Sequence, residues 1–302
     1  MRGLLVKVAF VMSLLVLWAC EHKELCYTHP HSPAVRVVFD WQLLEEAMRP
    51  TAMRVAFYPI QGGEPLLFDF SDPQGGRIEL PEGGYRVLCH NNDTEWIGWQ
   101  GMSDFLTLRA STDPIQAPDG TVAFSTPDFL CVGREDHVWI SSIDEEQEQV
   151  VCLTPQRATS RYSFEVNGLK GLERLADFRG MLSGMSAQLY VATDSLPEKA
   201  QDRLLFGGQR MGDQLQGVFQ TFGYSTPDSL LFTLFLRDAK GQMHRFQQDV
   251  GDQIRSFPRE GHVGDVHVVL RFDFTLPTDS VGGGGFDVDA DEWEDVHIDI
   301  DV

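Results

Sequence analysis

The residues richest in chemistry sit near the start of the chain. Leu17-Trp18-Ala19-Cys20 closes an apolar run, Val8–Leu17, that follows Arg2 and Lys7. A basic stretch, an apolar core too short to span a bilayer and a small residue before the cut describe an export signal over residues 1–19. A cysteine directly after that cut fits a bacterial lipobox, in which the thiol is acylated and Cys20 becomes the first residue. Several acyl chains on one residue make a stable membrane anchor. Trp18 replaces the usual small or β-branched residue. The rival reading is an ordinary cleaved signal that leaves Cys20 as a free thiol.

Other candidates fail on spacing. His22, His29 and His31 cluster around Cys26, and imidazole with thiolate suits zinc or copper. Residues 20–33 nevertheless read as a polar tether without the outer shell that a metal site needs. Asp287, Asp289 and Asp291 resemble half of a calcium loop, but positions six and twelve are Glu292 and Ile298, not Gly and Glu. Gly184-Met185-Ser186-Ala187-Gln188 starts like a nucleophile elbow and lacks its closing glycine. No H-E-x-x-H, phosphate loop or dinucleotide fingerprint occurs. The sequence therefore assigns no catalytic residue, no metal ligand and no cofactor.

A weak binding candidate remains in Asn91, Asn92 and Asp93 with Trp96 and Trp99, since aromatics beside amides suit sugars. The plainer reading is an Asx-type turn that caps its own backbone, with both tryptophans in the core. Asp194-Ser195-Leu196, Asp228-Ser229-Leu230 and Asp279-Ser280-Val281 share an Asp–hydroxyl–apolar pattern that resembles an O-glycosylation acceptor.

Composition bounds the class. The formal charge is −21, and removing Arg2 and Lys7 with the signal brings the mature chain near −23. Such a chain repels nucleic acid, and no basic patch offsets it. Hydrophobic content of 42% supports packed cores over two domains. No second apolar run reaches membrane length, so the mature chain is expected to be tethered and not embedded. Cys26, Cys89, Cys131 and Cys152 lie outside any C-x-x-C pair. Buried free thiols and a bridge both stay open.

The elements that must position these residues are short strands. Val35–Trp41, Met53–Tyr58, Pro65–Phe70, Arg77–Leu80 and Tyr85–Cys89 alternate or run apolar, with Gly62-Gly63, Gly75-Gly76 and Gly83-Gly84 between them. That spacing predicts an antiparallel sandwich or barrel over 34–146. Gln42–Met48 fits a helical turn or two. The acidic run Asp144–Glu148 reads as a connector. A second β-rich unit is expected over 147–281, beginning with a strand at Gln149–Pro155. Within it Val268, Leu270, Phe272 and Phe274 share one face, and Asp238–Gly241 resembles a hairpin turn. Asn167–Gly180 is expected to be a short helix or long loop. Residues 282–302 stand apart. Four glycines form a hinge, and Phe286–Val302 alternates with Phe286, Val288, Val296, Ile298 and Ile300 on one face and acids on the other. That pattern predicts a pairing strand.

The N-terminal third carries a resemblance. Cys20–Tyr27 with His29 and His31, Val35–Trp41, Phe57-Tyr58-Pro59, Gly75-Gly76, Leu80-Pro81, Gly83, Tyr85, Asn91–Glu95 and Thr126-Pro127-Asp128 carry it. Together they resemble a lipoprotein family of Bacteroides-type bacteria, similar to fimbrillin-related minor subunits and anchors of surface fimbriae. The resemblance implies an all-β protein of two tandem transthyretin-like antiparallel β-sandwich domains behind a lipid-modified cysteine. It implies a fimbrial accessory or anchor subunit of the outer membrane or cell surface, working in assembly or adhesion. Its partners would be the membrane, through the lipid, and other fimbrial-type β-sandwich subunits. A surface lipoprotein that binds glycan or a host ligand is the alternative, and a hydrolase of unrecognised type is the second.

Overall fold

The computed structural model describes residues 33–141, 148–225 and 229–277. Cys20, the tether, most of the acidic connector and the tail Phe286–Val302 lie outside the described residues. The described chain is almost all β.

Five sheets account for the strands. The first orders β11 (Gln149–Leu153), β1 (Ala34–Phe39) and β4 (Gly75–Glu79). The second orders β12 (Gln156–Arg157), β10 (Cys131–Ile140), β5 (Gly83–Asn91), β2 (Met53–Pro59) and β3 (Leu66–Phe70). The facing sides are built by period-2 alternation: Val35, Val37 and Phe39 of β1 meet Val55 and Phe57 of β2 and Val87 of β5 in one core. Tyr85 packs edge-on against Phe57, with ring centroids 5.9 Å apart.

The second sandwich uses the same logic. One sheet orders β17 (Gln209–Met211), β18 (Gln214–Thr221), β13 (Ser160–Lys170), β22 (Val263–Thr275) and β21 (Arg259–Glu260). The other orders β20 (Met243–Asp249), β19 (Leu231–Asp238), β14 (Leu175–Met185), β16 (Asp202–Phe206), β9 (Val122–Ser125) and β8 (Pro114–Gln116). Val268, Leu270 and Phe272 enter the core as the alternation predicts, while Phe274 packs against it part-buried. The turn at 238–241 closes the β19–β20 hairpin. Asp238 accepts the backbone N–H groups of Lys240 and Gln242, each at 2.9 Å.

In each sandwich the first and last long strands run parallel side by side: β1 with β11, and β13 with β22. Most other pairings are antiparallel. This places Gln149–Leu153 differently from the sequence reading. The sequence pattern makes it the opening strand of a second unit that begins at residue 147, yet in the structure it pairs with β1 and finishes the first. The seam therefore falls between β12 and β13. A charged run in the sequence does not by itself mark a boundary between units. Asn167–Gly180 also differs. It is the end of β13, a 3₁₀ turn at Leu172–Arg174 and the start of β14, because Phe178 and Leu182 have a core to face. The helical turn expected before Pro50 is a 3₁₀ turn at Glu46–Met48.

The two units interlock. The fifth sheet, of three strands, orders β15 (Gln188–Tyr190), β7 (Arg109–Ser111) and β6 (Gly98–Gln100), so a strand that follows β14 pairs with the first unit's chain. In return β9 of the first unit pairs with β16 of the second. This outer layer covers the far side of the second sheet. Ala56, Tyr58 and Leu88 from that sheet join Phe105, Leu108, Leu189, Val191 and Phe222 in a separate core.

Candidate functional site

The loop after β5 brings together two of the five proposed binding residues and turns a third inward. Asn91 is 2% exposed. Its Nδ2 donates to Asp93 Oδ1 at 2.9 Å and to the Phe129 carbonyl at 3.0 Å, and its Oδ1 accepts the Cys131 N–H at 2.9 Å. Both amide hydrogens are thus committed within the protein. Asp93 accepts the Thr51 N–H and hydroxyl at 3.0 and 3.1 Å. Burial pushes its carboxyl up, but hydrogen bonds from Asn91 and Thr51 hold it below the ordinary carboxylate range. These two side chains staple the loop to β10 and to the residues before β2.

Trp99 lies against the outer core and stacks on His90, with ring centroids 3.8 Å apart. His90 is buried, donates from Nδ1 to the Asn91 carbonyl at 2.8 Å, and is pushed down to about 4 by burial. It is neutral at physiological pH, so the stack is not a cation–π contact. Asn92, Asp93 and Trp96 of the five remain exposed, Trp96 at 58%. The Trp96 backbone is held by Asp128 Oδ2, which accepts the N–H groups of Glu95 and Trp96 at 2.6 and 2.7 Å. The loop is therefore a rigid, self-capped structure carrying one exposed indole.

The cysteines offer little reactivity in the interior. Cys89, Cys131 and Cys152 are free, and the first two are buried. Burial pushes the Cys89 thiol up to about 12 and the Cys131 thiol up as well. A thiol held protonated is a poor nucleophile and metal ligand. Cys26 lies outside the described residues.

A feature the sequence reading missed is the unpaired edge of the second sandwich. Among the described strands, β22 pairs with β13 along 265–275 but with β21 only at Val263 and Gly264. Its other edge is therefore open over most of its length. At Val269 a side chain takes the place of a neighbouring strand: Gln253 Nε2 donates to the Val269 carbonyl at 3.0 Å and Oε1 accepts its N–H at 2.9 Å. Gln253 belongs to the short helix α1 (Gly251–Ser256). β20 ends the opposing sheet on the same side, where Phe246 meets Phe272 and Phe274 at 5.3 and 4.9 Å. Open edges offer backbone groups that another extended segment can satisfy. The strand itself was legible in the sequence; which neighbours it lacks was not.

Comparison with known proteins places this architecture. A Bacteroides ovatus protein named "Putative fimbrium anchoring subunit Fim4B" is 31% identical over 179 residues, covering 58% of this chain and 52% of that protein. The chain thus matches about half the length of that relative. A solved structure of a "putative adhesin" from Bacteroides ovatus superposes with a TM-score of 0.64 at 20% identity, covering 86% of this chain and 98% of that one. A Bacteroides thetaiotaomicron structure described as "putative polysaccharide binding proteins (DUF1812)" gives 0.52 at 14% identity, covering 78% and 90%. At these identities the two structures speak for the fold alone. Residues 19–207, more than half of the chain, match the model of a "Domain of unknown function (DUF5119)" and include the span Cys20–Asp128 that carries the sequence resemblance, so the chain belongs to the DUF5119 family.

Proposed function

We propose that this protein is an accessory or anchor subunit of a surface fimbria, held at the outer membrane by lipid on Cys20. The observation that carries the reading is the 31% identity to a protein named as a fimbrium anchoring subunit. The adhesin-like all-β fold agrees with it. Its work is assembly and adhesion rather than catalysis.

In this reading the tail supplies a strand. Phe286, Val288, Val296, Ile298 and Ile300 form its apolar face, and the glycine hinge at 282–285 lets it reach either the open edges of β22 and β20 or a neighbouring subunit. The intramolecular edge is slightly favoured, because a tail tied to its own domain loses less freedom on ordering. Deleting residues 286–302 separates the cases. A tail that completes its own sheet lowers the melting temperature by several degrees. A tail that serves a partner leaves the melt in place and abolishes co-purification with other β-sandwich subunits. If neither changes, the tail pairs with nothing.

A further inference from the structure

The two sandwiches enclose a cleft of about 600 Å³ at their seam, with a recess of about 260 Å³ beside it. Leu43, Gln156 and Asp194 line both. Concave volumes of this size at the junction of two units are where small ligands most often bind. Two sheets end here, β12 giving Gln156 and Arg157 to the wall and β21 giving Arg259 and Glu260.

The charge in the cleft departs from that of the chain. Three arginines (Arg134, Arg157, Arg259) and three acids (Asp194, Glu260, Asp265) line the two recesses. Their formal charges balance, in a protein whose net charge is −21. Several are fixed in place. Arg157 grips Asp265 in a fork with contacts of 2.8 and 3.2 Å. Arg259 lies over the Tyr224 ring, 4.3 Å from its centroid, and donates to the Tyr224 carbonyl at 3.3 Å.

Asp194 is the most tightly specified. Its φ of +51° lies in the left-handed region, the one non-glycine residue there among the described residues. A strained residue persists only where its surroundings hold it. His262 sits between two acceptors, with Nε2 3.0 Å from Asp194 Oδ1 and Nδ1 2.6 Å from the Phe222 carbonyl oxygen. The other carboxylate oxygen sits 3.9 Å from Arg134, beyond hydrogen-bond reach. It retains lone pairs at the point the two recesses share.

We propose that this seam cleft binds a short, uncharged oligosaccharide. Sugar hydroxyls donate and accept at once, which suits a wall that carries both guanidinium donors and carboxylate acceptors. A balanced cleft selects neither anion nor cation. Groups already held by protein partners need little ordering when the ligand arrives. An extended peptide is served less well, because β12 and β21 are two residues each and offer little edge for backbone pairing.

The test is titration calorimetry on the full chain with hexasaccharides from mannan, galactan, xylan and cellulose. A hexameric polygalacturonate and an alternating decapeptide serve as comparison ligands. At least one neutral hexasaccharide binds, and Asp194→Asn and Glu260→Gln each weaken it about tenfold, the worth of one hydrogen bond to a charged group. Glu260 is exposed at a sheet edge, so its variant probes the site without a risk to folding. Silence from all four neutral sugars overturns the proposal. So does binding that Glu260→Gln leaves unmoved, or binding of the uronate or the peptide in place of the neutral sugars.

Discussion

Phe222→Ala tests whether the two sandwiches stand or fall together. Phe222 follows β18 of the second unit, yet it is fully buried in the outer core that covers the first, beside Leu130, Leu189 and Val191. Truncating a buried phenylalanine costs about 4 kcal/mol, the sum of lost burial and the cavity left behind. With roughly 2–4 °C lost per kcal/mol in a chain of this size, the melt falls by about 10 °C. Differential scanning calorimetry reads the shift. Because β15 pairs with β7 and β9 with β16, each unit contributes a strand to the other's sheet. The wild type should therefore melt in one transition, and Phe222→Ala should move that transition as a whole. Two resolved transitions, with only one displaced by the mutation, would refute the reasoning.

Three further outcomes are expected. Gly180→Ala places a Cβ 2.2 Å from the Phe206 ring, which is itself stacked on Phe219 at 3.8 Å and cannot swing away; chemical denaturation should report a loss of about 2 kcal/mol. The Asp194 carboxyl is held below its ordinary range by the hydrogen bond from His262, against the opposing effect of burial and with help from the charges of His262 and Arg134. A depressed carboxylate stabilises the fold above its unfolded pKa of about 3.9 and loses that contribution as pH falls through the folded value. The stability gap between wild type and Asp194→Asn should thus be full at neutral pH and close in acid, as followed by urea titrations at several pH values. Cys20→Ala should move the protein from the detergent phase to the aqueous phase on membrane fractionation; retention in detergent equal to wild type contradicts lipid attachment.

The fold class was legible because most strands bury one face. In β22, Val268, Leu270 and Phe272 announce their side by alternation, and the turn after Asp238 is written in local residues. What stayed hidden depends on distant partners. Nothing local in Gln149–Leu153 reveals that it lies parallel to β1. The strand β14 was obscured by Asp177, Arg179 and Gly180, although Gly180 is small because Phe206 packs onto the strand there. Among the proposed binding residues, the self-capping of Asn91 and Asp93 follows the known habit of such side chains. The inward turn of Trp99 and the outward one of Trp96 required the outer layer to be seen. The link between Asp194 and His262 spans 68 residues and leaves no spacing signal.

The central claim is membership of a fimbrial assembly, and the direct measurement is affinity purification of the tagged full-length protein from crosslinked outer membranes, followed by mass spectrometry. The account predicts that other lipid-linked or fimbrial-type β-sandwich subunits are recovered with the wild type and lost from the membrane fraction with Cys20→Ala. Recovery of the wild type alone, from membranes that carry fimbriae, would contradict it.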